Sequence, residues 1–231
     1  MTMTGVQLLL GRKLKGWNQV RAASKLGVSQ SYLSLLEKGE RPIPKELARK
    51  VVALYELSAA SLPVDSNLGT VQSVSEDDLA AALAGLGYPG FSHLKKKRKK
   101  NPAEVLVSAL SASNLDSRLT EALPWMLMTF PEMDWSWLVQ TAKLNDLQNR
   151  LGFLIDVARQ IAERRGELDK AALLAQHQSV LEHSRLARED TLCHDSLTNA
   201  ERRWLRDSRS DEAKHWGLLT DLSPDHLSYA Q

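Results

Sequence analysis

The chain has 231 residues, of which 43% are hydrophobic and 25% are charged, as in ordinary globular proteins. No apolar run is long enough to cross a bilayer, and the N-terminal segment lacks the basic start and the small-residue cleavage site of an export signal. Cys193 is the only cysteine, which excludes an intrachain disulfide and a cysteine-rich zinc site. We therefore expect a cytoplasmic protein that carries no cofactor or metal.

The net charge of +2 is distributed very unevenly along the chain. Residues 1–62 contain ten Lys or Arg and four Asp or Glu, whereas residues 63–94 contain four acidic residues and no Lys or Arg. Residues 95–100 are all basic, and residues 101–231 contain 14 basic and 20 acidic residues. The positive segments suit a polyanionic partner, and the acidic remainder indicates a different task.

Residues 16–42 carry the most informative pattern. Asn18 and Ser29 can each cap a helix, and Gly27 between the two helices can adopt the positive φ of a tight turn. Gly39 can end the second helix, which begins at Gln30. The inward-facing positions of the two helices are small or aliphatic: Ala22, Ala23, Leu26, Leu33 and Leu36.

Twelve residues in and beside this pattern match the Cro/cI-type (XRE) helix-turn-helix family, which the segment resembles: Gln19, Ala23, Leu26, Gly27, Val28, Ser29, Leu33, Leu36, Glu37, Gly39, Arg41 and Pro42. The resemblance implies an N-terminal five-helix repressor-like domain over residues 1–62 that reads the major groove of DNA. Two positions depart from the family, which usually has Leu at the place of Ala22 and often has a polar base-reading residue at the place of Leu35.

The resemblance also assigns roles to individual side chains. It places base-reading residues on the outward face of the second helix of the pair: Gln30, Ser31, Ser34 and Leu35. It places phosphate-binding residues beside them: Asn18, Gln19, Lys38 and Arg41. Gln30 can pair with adenine through two hydrogen bonds, whereas Leu35 either contacts a thymine methyl group or packs within the domain. Arg12 and Glu37 match an ion pair that joins the first and third helices in similar repressors.

Residues 63–101 are predicted to be a linker that contains a short helix and a basic run. Ser75 can cap the short helix, which Gly87 can end. The basic run consists of Lys95, Lys96, Lys97, Arg98, Lys99 and Lys100. It is interpreted either as a flexible arm that binds DNA phosphates or as a solvated linker that only adds nonspecific affinity.

Residues 102–231 are predicted to form a larger all-helical bundle for dimerisation or partner binding, so the fold class is all-α. Asn101 and Pro102 begin its first helix. Asp134 is predicted to cap one long helix that reaches about Arg165, and a second long helix from about Leu168 to Glu189 is predicted to pack antiparallel to it. Shorter helices are predicted to begin at Thr198, Ser210 and Ser223.

No pattern in the chain is typical of catalysis, and we predict that the protein is not an enzyme. Arg188 and His194 fit the loose spacing of a helical ribonuclease family, but about one such match is expected by chance in a chain with this many Arg and His. No phosphate-binding glycine loop and no metal-ligand spacing is present in the sequence.

Small helix-turn-helix modules usually bind palindromic sites as dimers because one module offers little contact area. The sequence therefore predicts a homodimeric transcriptional repressor that binds a double-stranded DNA operator. Within that class we favour an autoregulating antitoxin whose C-terminal domain binds a toxin protein. The alternatives are a ligand-responsive repressor and a helical ribonuclease with a DNA-targeting N-terminal domain.

Overall fold

The computed structural model describes residues 3–64, 74–94 and 99–230. The chain divides into two compact units, Met1–Asp65 and Ser66–Gln231. Regular structure in the described residues is almost entirely helical, which confirms the predicted all-α class. No helix in these three ranges is long and apolar enough to span a membrane.

The described part of the N-terminal unit, residues 3–64, contains four α-helices and one short 3-10 helix. They are α1 (Gly5–Leu14), α2 (Gln19–Leu26), α3 (Gln30–Glu37), α4 (Lys45–Tyr55) and the 3-10 helix Ala59–Ser61. The last of the five predicted helices is thus a single 3-10 turn. Asn18 and Ser29 cap α2 and α3 as predicted, and Gly27 between these helices has φ 74°. This left-handed conformation lets the chain turn from α2 into α3 within three residues, and a residue with a Cβ atom would adopt it only with strain.

Helix α1 lies unusually close to the C-terminal end of α3. A Cβ atom at Gly5 would lie only 2.4 Å from the carbonyl oxygen of Leu36. The predicted inward positions on α2 and α3 are all buried, and they share a core with Leu8 of α1 and Val51 of α4. This packing fixes the orientation of α3, because α3 is held on one side by α1 and on another by α2.

The C-terminal unit is larger and also helical. Its α-helices are α5 (Glu76–Leu86), α6 (Pro102–Leu110), α7 (Ser117–Thr129), α8 (Trp135–Leu144), α9 (Gln148–Arg164), α10 (Leu168–Glu182), α11 (Asn199–Ser208) and α12 (Asp211–His215). The 3-10 helices in its described residues are Pro89–Phe91 and Pro224–His226. A two-residue strand, β1 (Asp190–Thr191), pairs in parallel with β2 (Leu218–Leu219). The short helix predicted within the linker is α5, and it packs against α6 and α7.

The single long helix predicted from Asp134 to Arg165 is wrong. The chain forms α8 and α9 instead, separated by a turn in which Asp146 has φ 58°. The side chain of Asn145 donates a hydrogen bond to the carbonyl of Thr141 at 2.8 Å, and the amide of Leu147 bonds to the carbonyl of Ala142. Asn and Asp favour such helix ends because their short polar side chains bond to the local backbone and tolerate left-handed conformations.

The second predicted long helix also ends earlier than expected, at Glu182 instead of Glu189. Its packing partner was predicted correctly: α9 and α10 are joined by three residues and lie against each other. Gly166 ends α9 with φ 70°, as the sequence indicated. Capping at Asn101, Thr198 and Ser210 is likewise confirmed, while the helix predicted at Ser223 is a 3-10 turn.

The centre of the C-terminal unit is formed around α9. A Cβ atom at Gly152 would lie 2.3 Å from the indole ring of Trp216, which is fully buried. The indole nitrogen of Trp216 donates to the buried carboxylate of Asp156 at 3.2 Å. The side chain of Asn149 bonds to the carbonyls of Leu186 and Trp216, each at 2.9 Å. These contacts attach the C-terminal segments of the chain to α9.

Candidate nucleic-acid interface

Helix α3 exposes a polar face and buries an aliphatic one. The hydroxyl oxygen of Ser29 accepts a hydrogen bond from the amide of Tyr32 at 3.2 Å, so the helix begins directly before Gln30. Gln30 and Ser31 in the first turn are exposed, and Ser34 and Leu35 are half-buried. All four proposed base-reading side chains are therefore at least partly exposed to solvent, and the two in the first turn are the most exposed.

A buried ion pair joins α1 to the end of α3. Arg12 Nε lies 2.6 Å from Glu37 Oε1, and Arg12 Nη2 lies 2.9 Å from Glu37 Oε2, so the contact is bidentate. The third nitrogen of Arg12 donates to the carbonyl oxygen of Trp17 at 2.8 Å. Arg12 is 9% exposed and Glu37 is 7% exposed. The ion pair that the family resemblance implies is thus present, and it also holds the segment before α2.

This environment keeps Glu37 ionised. Burial is the largest influence and would raise the pKa of Glu37, but hydrogen bonds from Arg12 and Gln19 and the positive charge of Arg12 together hold that pKa below its ordinary value. The hydrogen bond to Glu37 in turn raises the pKa of Arg12. Because both partners stay charged, Glu37 can accept a further hydrogen bond.

A chain of hydrogen bonds leads from this ion pair to the outward face of α3. The side-chain nitrogen of Gln19 donates to Glu37 Oε2 at 2.9 Å, and Gln30 Nε2 donates to Gln19 Oε1 at 2.7 Å. One amide hydrogen and the carbonyl oxygen of Gln30 remain available, which are the two groups that pair with the edge of an adenine. Gln19 was predicted to bind a phosphate, and sequence reasoning missed that it also orients Gln30.

Comparison with known families identifies the kind of domain that this unit forms. Residues 9–62 match the family model described as helix-turn-helix. The N-terminal unit is a helix-turn-helix domain of the Cro/cI type. The protein is accordingly a sequence-specific DNA-binding transcriptional regulator. No curated protein and no solved structure matches the chain.

The predicted phosphate-binding residues of the helix-turn-helix domain lie on its surface. Asn18 and Lys38 are exposed at the ends of helices, and Arg41 is exposed in the segment after α3. The side-chain oxygen of Asn18 accepts a hydrogen bond from the amide of Arg21 at 2.8 Å. The side-chain oxygen of Asn18 is thus used in the helix cap, and its side-chain amide hydrogens are the groups that can donate to a phosphate.

Two further cations of the helix-turn-helix domain escaped the sequence analysis. Arg21 and Lys25 are exposed on α2, and their charged groups lie 5.5 and 5.6 Å from the ring centre of Trp17. Trp17 itself packs edge-on against Tyr55. The cations and the ring face attract each other, which keeps both charges on the same side of α2. Their four-residue spacing directly after the cap is the signal that sequence reasoning could have used.

The remaining candidate residues lie outside the helix-turn-helix domain. Lys99 and Lys100 are exposed, whereas residues 95–98 lie outside the described residues, so DNA contact by the basic run stays a prediction. Arg188 forms an ion pair with Asp146 at 3.5 Å, and His194 lies in the wall of a cavity. In the described ranges no group of three His, Cys, Asp or Glu side chains is placed to hold a metal ion.

Proposed function

We propose that the protein is a homodimeric repressor that regulates its own synthesis as an antitoxin and binds a toxin protein through its C-terminal unit. The observation that carries the repressor part is the fixed Gln30 side chain, exposed at the start of α3 and hydrogen-bonded through Gln19 to a buried ion pair. A base-reading group that is already oriented loses little conformational freedom on binding DNA.

A row of exposed apolar side chains supports self-association. Val6, Leu10 and Leu14 follow one another at four-residue intervals on α1 and are 63%, 53% and 84% exposed. Residues at this spacing lie on the same helix face, so they form a stripe and not isolated surface positions. Pairing of two such stripes would remove them from water and place two copies of α3 on one operator.

The surface of the C-terminal unit supports binding of a second protein. Trp204 on α11 is 58% exposed, although most of a tryptophan side chain is usually buried. Leu144 and Val180 are also exposed, and Lys143, the neighbour of Leu144, donates through Nζ to the carbonyl of Val180 at 3.4 Å. Exposed aromatic residues concentrate the binding energy of many protein interfaces.

Base reading by Gln30 tests the repressor part. We expect Gln30→Ala to weaken specific binding by roughly 1–3 kcal/mol and to relax the preference at one base pair of each half-site. Binding selection on randomised DNA measures both effects. Gln176→Ala, which removes an exposed glutamine from α10, is the matched control. An unchanged sequence preference in the Gln30 variant would contradict the assigned role.

The antitoxin part is tested with the gene that adjoins this one. Its product should stop growth when it is expressed alone, and co-expression of the full-length protein should restore growth. We expect Trp204→Glu to lose this protection while its operator affinity remains unchanged. An adjoining product that is harmless, or one that Trp204→Glu still neutralises, would contradict toxin binding at this surface and would leave the repressor proposal intact.

A ligand-responsive repressor is the second candidate, and a cavity of about 330 Å³ in the C-terminal unit favours it. Cavities of this size occur at the lower end of the range for small-molecule sites. A screen of melting temperature against metabolites distinguishes the candidates, because a ligand that binds the folded state raises that temperature. The effector should then also change the affinity for the operator.

A further inference from the structure

The cavity lies among four parts of the C-terminal unit. Its walls come from the first turns of α7, residues 192–197, α11 and residues 219–226. Five of the lining side chains are buried leucines: Leu115, Leu192, Leu205, Leu219 and Leu222. The base is therefore aliphatic and suits the apolar body of a ligand.

Hydrogen bonds hold the walls of the cavity in place. The amide of Leu115 donates to the carbonyl of Cys193 at 2.9 Å, and the hydroxyl of Tyr229 donates to the carbonyl of Glu121 at 2.6 Å. Arg202 of α11 donates to the carbonyl of Asp195, and Arg209, directly after α11, donates to the carbonyl of Leu218 next to the wall residue Leu219, each at 3.0 Å. The cavity is thus a preformed site whose walls are cross-linked by hydrogen bonds.

The polar groups at the mouth of the cavity are acidic or neutral. Glu121 and Asp221 are the acidic residues of the lining, half-buried and exposed respectively, and neither side chain forms a hydrogen bond or ion pair within the described part of the chain. The imidazoles of His194 and His226 also line the cavity, and Nδ1 of His226 lies 3.1 Å from the carbonyl oxygen of Asp221. No Lys or Arg belongs to the lining as far as the described residues form it. The mouth therefore attracts positive charge.

We propose that this cavity binds a small organic ammonium ion. The ammonium group would lie between the carboxylates of Glu121 and Asp221, and an aliphatic body of about six carbons would lie on the buried leucines. An ammonium group has three hydrogen-bond donors, which suit carboxylate acceptors. Burial of the alkyl chain against the leucines is favourable because it removes apolar surface from water. This binding site does not depend on the proposed repressor and antitoxin function, and it names a ligand class for the cavity on which the ligand-responsive candidate rests.

The same residues suit a bare metal ion poorly. A divalent cation needs several oxygen or nitrogen ligands that converge on one point. No three His, Cys, Asp or Glu side chains in the described ranges meet this condition, the cavity residues included. The aliphatic base would also contribute nothing to a metal ion, but it contributes to the binding of an alkylammonium ion.

The experiment titrates the full-length protein with hexylammonium, hexanoate and hexanol, which share a six-carbon chain and differ in the head group. Amide NMR spectra report where each probe binds and how tightly. We expect hexylammonium to produce saturable shifts that are confined to residues 115–121, 192–197 and 219–226 and to the part of α11 around Leu205. Hexanol should bind more weakly, and hexanoate should not bind in the cavity.

The variant that tests the head-group contact is Glu121→Gln combined with Asp221→Asn, because it removes both charges and preserves the shape. We expect its affinity for hexylammonium to fall at least about tenfold, as charge-assisted hydrogen bonds predict. Asp207→Asn, an exposed carboxylate of α11 that does not line the cavity, is the matched control and should bind as the wild type does.

Three results would overturn the inference. They are unchanged hexylammonium affinity in the double variant, hexanoate binding in the cavity as tightly as hexylammonium does, and the lack of any saturable shift at the cavity residues. Operator affinity measured on the same samples separates this inference from the proposed function. Loss of probe binding with intact operator binding concerns the cavity alone, and loss of operator binding concerns the helix-turn-helix domain alone.

Discussion

Both units of the protein contain a buried arginine that binds a carboxylate with two hydrogen bonds. In the N-terminal unit, Arg12 binds Glu37 at 2.6 and 2.9 Å. In the C-terminal unit, Arg150 binds Asp190 through Nε and Nη2, each at 2.9 Å. The two carboxylates differ in what they contact next. Glu37 accepts a hydrogen bond from Gln19, which leads to the surface at Gln30, whereas Asp190 accepts one from the amide of the adjacent Thr191.

The guanidinium groups differ in the same way. Arg150 also donates to the carbonyl of Leu110 at 2.8 Å and to that of Ala112 at 3.3 Å, so it joins the end of α6, helix α9 and strand β1. Arg12 holds the backbone before α2 and thereby helps to position a side chain that reads DNA. The comparison teaches that one chemical arrangement anchors a fold in one unit and orients a binding residue in the other.

Removal of Arg150 should have the largest effect. Arg150→Met removes the guanidinium from the half-buried Asp190 and from two backbone carbonyls, and breaking such a pair costs up to about 3–5 kcal/mol, the figure for full burial. We expect the free energy of unfolding of the C-terminal unit to fall by this amount, while the affinity for the operator stays unchanged. Urea unfolding followed by circular dichroism measures the first effect. A loss below about 1 kcal/mol would contradict the anchoring role.

Removal of Arg12 should reduce both stability and DNA binding. We expect Arg12→Met to cost about 3 kcal/mol, because Glu37 stays buried and retains only its hydrogen bond from Gln19. The double variant Arg12→Met with Glu37→Leu should regain most of this stability, since an apolar pair can replace a buried ion pair.

The double variant also separates folding from base reading. It leaves Gln19 without the carboxylate that orients it, so we expect the specific affinity for the operator to stay reduced. Urea unfolding and operator titration of the same protein provide the two measurements. Full recovery of operator affinity together with stability would show that the hydrogen-bond chain to Gln30 has no functional role.

Close helix packing offers a second contrast between the units. Gly152→Ala brings a methyl group against the fully buried Trp216, whereas Gly5→Ala brings one against the carbonyl of Leu36. Overpacking of this kind costs about 1–3 kcal/mol. We expect the larger loss at Gly152 because Gly5 is the first residue of α1, whose end can move. Thermal unfolding measures both variants, and a larger loss in Gly5→Ala would reverse this order.

Acid should weaken both ion pairs. The pKa of Asp190 lies below its ordinary value because hydrogen bonds and positive charge from Arg150 outweigh burial, which is the largest influence and would raise it. Because each carboxylate has a lower pKa in the folded state than in the unfolded state, its ion pair contributes its full stability above the unfolded-state pKa, which is 4.5 for Glu37 and 3.8 for Asp190. This stability is lost as the pH falls through the folded-state pKa. The change in each unit should be smaller than that of the variants above.

Two substitutions assign the acid effect to its source. Glu37→Gln should flatten the pH dependence of stability in the N-terminal unit, and Asp190→Asn should flatten it in the C-terminal unit. Urea unfolding between pH 3 and pH 6, followed by amide NMR signals of each unit, measures the two separately. An unchanged pH dependence in either variant would exclude that carboxylate as the titrating group.

The local features of the helix-turn-helix domain could be predicted because they depend on neighbouring residues. Asn18 and Ser29 cap helices through atoms three residues away, and Gly27 determines its own turn. The Arg12–Glu37 pair, which is 25 residues apart in the chain, became predictable through the family resemblance. The link from Glu37 through Gln19 to Gln30 was not predictable, since it depends on side-chain rotamers in the folded domain.

The C-terminal unit shows the limit of periodicity. Leu144, Leu147 and Leu151 follow a helical spacing that continues across the turn at Asp146, so the pattern alone predicted one helix where two are present. A spacing of three or four residues reports which residues face a core, and it does so equally for one helix and for two consecutive helices. The hydrogen bond from the side chain of Asn145 to the carbonyl of Thr141 favours the end of α8 at this point.

By itself the sequence determined the all-α class, the helix caps at Asn18 and Ser29, the glycine turns at Gly27 and Gly166 and the helix-turn-helix domain, because each of these depends on short-range spacing or on a family pattern. Only the tertiary structure brought Arg150 to Asp190, Trp216 to Gly152 and Glu121 to the leucines of the cavity. Except for Leu115, which is near Glu121 in the chain, these partners are separated by 40 or more residues, and their meeting depends on how helices pack in three dimensions. Packing of this kind depends on the shapes of many side chains at once, which no local pattern in the chain records.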